Sequence, residues 1–138
     1  MRKKTLICLF LATFSYANEF NAPMRTYIQE LKVQAQKENP KFKDFNSSRG
    51  EKIFSTQHQG KNNQTISCQS CHGSNLKEGA KNIFTDKAIA PLAPSANPIR
   101  LTDVKEVKKW LKRNFKDVYL REGTAQEKGD VLYYLIGQ

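Results

Sequence analysis

The pentapeptide Cys68-Gln69-Ser70-Cys71-His72 constrains this chain more than any other feature. Two thiols three positions apart, with an imidazole directly after the second, have three chemical uses: a redox-active dithiol, half of a zinc site, or attachment of a c-type haem. A thioredoxin-like pair needs a βαβ surround, and the segment before the motif, Gly60-Lys-Asn-Asn-Gln-Thr65, is polar. Zinc needs a second Cys or His pair, and downstream of the N-terminal Cys8 only His58 remains. Haem attachment explains the spacing. The two thiols add across the vinyl groups on one haem edge as thioethers, and the adjoining histidine falls under the iron as proximal ligand. One motif implies one haem c, bound through Cys68 and Cys71, with His72 on the metal.

The N-terminus reads as an export address. Met-Arg-Lys-Lys, the apolar stretch Thr5–Phe14 and the small-x-small end Ser15-Tyr16-Ala17 form the pattern of a secretory signal peptide. Cleavage there starts the mature protein at Asn18 and removes Cys8, so Cys68 and Cys71 alone remain. No apolar run reaches the roughly eighteen residues of a membrane span. The expectation is a soluble, periplasmic protein without a span after cleavage. A length of 138 residues suits a single domain. With 38% apolar and 26% charged residues its polypeptide core is modest, and a group bound in the interior would help it. The net charge of +10 includes Arg2, Lys3 and Lys4 of the leader, and the mature chain stays basic. Nucleic acid is a poor partner for an exported haem protein; acidic redox partners suit the charge better.

Helical periodicity organises the mature chain, and the expected class is all-α. Asn21 can cap a helix with Pro23 in its first turn and Met24, Tyr27, Ile28, Leu31 and Ala35 on one face, ending before Asn39-Pro40. A short second helix starts at Ser47 or Ser48 and buries Ile53 and Phe54. After His72 the chain is irregular for almost thirty residues, and Ala90-Pro-Leu-Ala-Pro-Ser-Ala-Asn-Pro98 excludes a helix interior. Thr102-Asp103 opens a helix to about Val118 with Val104, Val107, Trp110, Leu111 and Phe115 as apolar positions. Thr124 and Glu127 form a capping box for the last helix. Residues 1–17 are read as leader, 18–46 as a helical extension and linker, and 47–138 as the haem domain. This order resembles a class I cytochrome c, whose first and last helices cross with a glycine and an aromatic at the contact. Gly50 with Phe54, against Gly129 with Tyr133 or Tyr134, are positions that could serve.

The second axial ligand is the open question. Such carriers ordinarily take a methionine from the chain after the haem motif, but the methionines here are Met1 and Met24. His58, a lysine, a weaker side chain or water are the alternatives, with Met24 reaching over from the extension as a further one. His58 lies in the loop leading into the motif, on the proximal side of a class I arrangement. Asn114 shares a helix face with Val104, Val107, Leu111 and Val118. A buried asparagine on an apolar stripe needs a partner, be it backbone, a haem propionate or the iron.

Longer motifs narrow this. Ala93-Pro-Ser-Ala-Asn-Pro98, Val107-Lys-Lys-Trp-Leu-Lys-Arg-Asn114 and Arg121-Glu-Gly-Thr-Ala-Gln-Glu-Lys-Gly-Asp130 resemble the sphaeroides haem protein family of high-spin monohaem class I cytochromes c, over roughly Gly50 to Gly137. The resemblance implies that Asn114 holds the sixth position weakly and yields to oxygen or nitric oxide in the reduced state. It also implies electron-transfer partners, including a dihaem cytochrome c and a membrane cytochrome b. The family usually has a cysteine after the asparagine and another in the Arg-Glu-Cys-Thr run, joined as a disulfide; here these positions are Phe115 and Gly123.

A gas-binding, electron-exchanging cytochrome is therefore the leading expectation. The alternative is a plain soluble electron shuttle with His/His or other non-Met ligation. An enzyme is not expected, since His58 is the one histidine besides His72 and no distal acid/base pair can be identified. The reading predicts a mature N-terminus near Asn18 and a haem that survives denaturation. Intact mass should show polypeptide plus one haem, and a bare polypeptide mass from haem-competent cells would contradict it.

Overall fold

A computed structural model describes residues 19–138; the leader read at residues 1–17 lies outside them. Among the described residues, four α-helices form where the caps and periodicities place them, α1 Ala22–Glu38, α2 Ser47–Ser55, α4 Val104–Tyr119 and α5 Ala125–Ile136, and a short fifth that the pattern did not announce, α3 Gln69–His72, carries the haem motif. Asn21 caps α1 by accepting from the Met24 amide at 3.0 Å, and Asp103 caps α4 by accepting from Glu106. Thr124 and Glu127 complete the capping box of α5 in both directions. α2 starts at Ser47 as expected, and its cap is Asn46, whose side chain accepts from the Arg49 amide.

Two small antiparallel ladders accompany the helices, which the sequence did not announce. β1 (His58–Gln59) pairs with β2 (Thr65–Ile66), with His58 opposite Ile66. β3 (Ala80–Lys81) pairs with β4 (Ala88–Ile89). Each strand is two residues long, too short for an alternating pattern to register.

The core is one cluster fed by every long helix. α1 contributes Met24, Tyr27, Ile28, Leu31 and Ala35, all buried, and packs on α5 and α4. Met24 is completely buried there. α4 buries Val107, Leu111, Phe115 and Val118. Trp110, expected among the apolar positions, is instead 42% exposed, at the border of the buried arc. Its indole N–H donates to Glu106, so the ring is held at the surface by a polar tether.

The crossing of α2 and α5 is the tightest contact in the fold. A Cβ on Gly50 would lie 2.0 Å from the carbonyl oxygen of Asp130 and 2.9 Å from the Cβ of Tyr134. Only a bare Cα permits that approach. Phe54, one turn on, packs its ring against Tyr134 at 5.6 Å. Gly129, expected to face α2, serves another neighbour: its Cβ position is filled by the Phe45 ring from the linker before α2. Gly50→Ala should therefore cost about 3 kcal/mol or more, because backbone has to move. Gly137→Ala, whose Cβ would meet nothing closer than 3.7 Å, should stay within about 0.5 kcal/mol. Guanidinium denaturation of the holoprotein checks the pair; equal midpoints would refute the close crossing.

Candidate functional site

The turn Ser67–Gly73 arranges the motif. His72 and Cys71 amides both donate to the Cys68 carbonyl, at 3.1 and 3.3 Å, and the Gly73 amide closes the turn on Gln69. Ser70 Oγ accepts from the Ser67 amide and tightens its start. One helical turn therefore puts Cys68, Cys71 and His72 at i, i+3 and i+4, on one side. Gly73 leaves it at φ +76°, a conformation that favours glycine.

The chemistry of the three side chains suits a bound group. Cys68 and Cys71 are both free thiols, not a disulfide. Burial pushes the Cys68 pKa up to about 12, with Cys71 adding to the rise and a backbone hydrogen bond opposing it. A reactive thioredoxin-type cysteine shows the reverse, a lowered pKa. His72 is pushed down to about 4, first by burial and then by the positive charge of Arg100. It is a neutral imidazole at pH 7, the form that ligates a metal. Its Nδ1 is buried without a hydrogen-bond partner among the described residues, an uncommon state for a ring nitrogen. Phe54 fixes the ring from the α2 side at 5.8 Å. Among the described residues no group of three or more His, Cys, Asp or Glu is placed to hold a metal ion by itself. The zinc alternative lacks its ligands.

The segment after the motif folds back over it. Leu92 and Ala93 amides both donate to the Leu76 carbonyl, and Ala93 is fully buried. Arg100 staples the proline segment, donating from Nε to the Pro91 carbonyl at 3.0 Å and from Nη2 to the Ala90 carbonyl at 2.8 Å. Burial lowers its pKa, and it has no carboxylate partner among the described residues. Sequence pattern gave no reason to single it out. A half-buried, unpaired guanidinium beside the motif suits a group that brings its own carboxylates, as a haem does. Leu101 follows at φ +59°, a left-handed strain for an aliphatic residue that its burial in the core offsets.

α4 closes the site from the other side. Val107, Leu111 and Phe115 belong to the same apolar cluster as Leu76 and Ala93, and Cys68, Leu92 and Val104 pack against it. Tyr119, on the last turn of α4, lies near enough to Cys68 for that charge to contribute to its raised pKa, behind the larger effect of burial. Asn114 is half-buried on this helix, and its amide makes no hydrogen bond within the described residues. Two of the other ligand alternatives have contacts of their own. Met24 is sealed in the α1 core, and the His58 ring is 4.2 Å from that of Tyr119. Tyr119 in turn donates to the Ile53 carbonyl at 2.7 Å.

Phe115 and Gly123, the two positions that depart from the resembled family, are in contact. A Cβ on Gly123 would lie 2.8 Å from two carbons of the Phe115 ring. The ring fills the space beside α4 that a side chain at 123 would need. The two sites are sterically coupled: the Phe115 ring leaves no room for a side chain at 123.

Comparison with known proteins gives the family and the fold. The family model described as a domain of unknown function, DUF1924, matches residues 40–135. The cytochrome c-type protein SHP of Cereibacter sphaeroides is 42% identical over 92 residues, 67% of this chain and 70% of that protein. Cytochrome c'' of Methylophilus methylotrophus is 30% identical over 139 residues, 99% of this chain and 95% of that protein, so that its likeness includes α1. The structure of oxidised SHP, described as an oxygen-binding cytochrome c, superimposes with a TM-score of 0.72 at 35% identity, over 83% of this chain and 96% of that one. A solution structure of cytochrome c'', described in terms of haem-ligand detachment, gives 0.72 at 26% identity, over 84% and 94%. A family model spanning most of the chain, a relative at 42% identity and a shared class I cytochrome c fold lead to one assignment: this chain belongs to the sphaeroides haem protein family of c-type cytochromes, and its cofactor is one covalently attached haem.

Proposed function

We propose that the chain is a periplasmic, high-spin monohaem cytochrome that binds small diatomic ligands when reduced and exchanges electrons with partner cytochromes. Cys68 and Cys71 anchor the haem, His72 is the proximal ligand, and the Asn114 side-chain oxygen is a weak sixth ligand. The observation that carries this reading is the half-buried Asn114 amide, left without a hydrogen bond on the helix that closes the site. The haem supplies an iron redox couple and a coordination position; the chain's residues decide how firmly that position is held.

Each does so by ordinary chemistry. Burial keeps His72 neutral, so its lone pair is available for coordination at any pH near neutrality. Arg100, close enough to His72 to lower its pKa, would offer a positive charge to a haem carboxylate. The apolar side chains Leu76, Val107 and Leu111 exclude water from the neighbourhood. An amide oxygen is a neutral, poor donor, so Asn114 competes weakly with an incoming gas. That the SHP relative is described as oxygen-binding supports the ligand class. The family resemblance supports a dihaem cytochrome c and a membrane cytochrome b as electron-transfer partners. No helix among the described residues is long and apolar enough to cross a membrane.

A plain shuttle with His58 on the iron is the second reading; the His58 ring is in tilted contact with Tyr119. Mutation separates the two. Asn114→Ala should leave the ferric protein high-spin and bind carbon monoxide after reduction at least as tightly as the wild type. Asn114→His should turn the spectrum low-spin and weaken apparent carbon monoxide affinity about tenfold or more, since only the ligand-free fraction can bind. His58→Ala should change neither. A low-spin wild type that His58→Ala converts to high-spin would replace the gas-binding reading with the shuttle.

A further inference from the structure

We propose that the outer face of α4 is the docking surface for an acidic electron-exchange partner; this rests on the redox function proposed above and adds the place of contact. Lys105, Lys109, Lys112 and Lys116 recur at i, i+4, i+7 and i+11, which lines them up along one side of the helix. All four are exposed, and Arg113 extends the row. At 1.5 Å per residue the stripe is about 16 Å long. α4 carries six basic residues against two acidic ones, Glu106 and Asp117.

The internal pairings leave this charge mostly unspent. Lys109 reaches Glu106 at 3.1 Å and Lys112 reaches Glu122 at 3.3 Å, with every partner about half exposed. Pairs of that kind are worth little in water. Lys105 and Lys116 have no ion pair among the described residues. Lys108 is set apart: it turns toward α1, pairing with Glu30 and covering the Tyr27 ring. The stripe is therefore a separate feature from the α1–α4 contact.

Its position gives it a use. The opposite side of the same helix buries Val107, Leu111, Phe115 and Val118 and bears Asn114. A helix with its side chains is about 10–12 Å across. A protein seated on the stripe stands one helix thickness from the proposed ligand side chain, which is a short path for an electron. Positive charge in a row draws an acidic surface and speeds encounter at low salt. An anionic membrane fits less well, since an interfacial helix needs a free apolar face. The apolar face of α4 is consumed by the core, and Trp110 is held by Glu106, with Lys109 and Arg113 over its ring.

The test uses the reduced holoprotein in stopped flow with two inorganic oxidants of opposite charge, hexacyanoferrate(III) and tris(phenanthroline)cobalt(III). Lys109→Glu/Lys112→Glu is compared with Lys41→Glu/Lys43→Glu, an equal change of net charge in the linker before α2. At low ionic strength the stripe variant should lose about tenfold in rate with the anionic oxidant and gain with the cationic one. The linker variant should change by less than about threefold, and the contrast should collapse near 1 M salt, where charges are screened within about 3 Å. Equal effects from the two variants would overturn the proposal. So would oxidant rates that ignore the stripe while phosphatidylglycerol vesicles bind the wild type and not the stripe variant; the face would then be a lipid contact. Absorption spectra of every variant are read alongside. A low-spin spectrum throughout counts against Asn114 and leaves the rate comparison standing, whereas a missing haem refutes both.

Discussion

Asp130 fixes the crossing of α2 and α5. It is 1% exposed, and its carboxylate accepts from Arg49 Nε and Nη2 at 2.8 and 2.9 Å and from the Asn46 amide at 2.7 Å. Its own carbonyl occupies the space that a Cβ on Gly50 would fill. One residue of α5 thus captures both the cap and the first turn of α2. A buried carboxylate so fully satisfied fixes a geometry more than it adds stability, because desolvation offsets much of the attraction. The fixed geometry propagates: Phe54 on α2 lies between Tyr134 and His72, which relates the haem-attachment turn to the α2–α5 crossing.

Around that frame the site is made of groups left incomplete by the polypeptide alone. His72 Nδ1 lacks a partner, Arg100 lacks an anion, and the Asn114 amide lacks a hydrogen bond. His72 Nδ1 is the buried one, and a buried ring nitrogen without a partner is a cost in a folded protein. Arg100 and Asn114 are only partly buried, and each keeps a polar group that a bound carboxylate or metal could meet. Of the stronger donors weighed against Asn114, Met24 is sealed in the core of α1 and the His58 ring lies in tilted contact with that of Tyr119.

Local signals made much of this legible in the sequence. The haem motif, the caps at Asn21, Asp103 and Thr124, and the apolar stripe of α4 all act within a few residues, and the structure places the caps and the stripe where the pattern does. What escaped was long-range. Phe45 reaches Gly129 across more than eighty positions, and no periodicity predicts that meeting. Arg100 earns its place through backbone carbonyls in a proline loop. Trp110 sits at the edge of the buried arc, where helical spacing cannot decide between core and surface and the tether to Glu106 does. Phe115 and Gly123 stood out as departures from a family pattern, yet their mutual contact became visible only in three dimensions.

How firmly the sixth position is held decides between a gas-binding haem and a plain electron shuttle. Low-temperature electron paramagnetic resonance of the purified ferric holoprotein reports this directly, because a weak oxygen donor and a strong nitrogen or sulfur donor give different spin states. The account predicts an axial high-spin signal for essentially all of the iron. A rhombic low-spin signal accounting for the iron would contradict it and assign the position to a strong ligand.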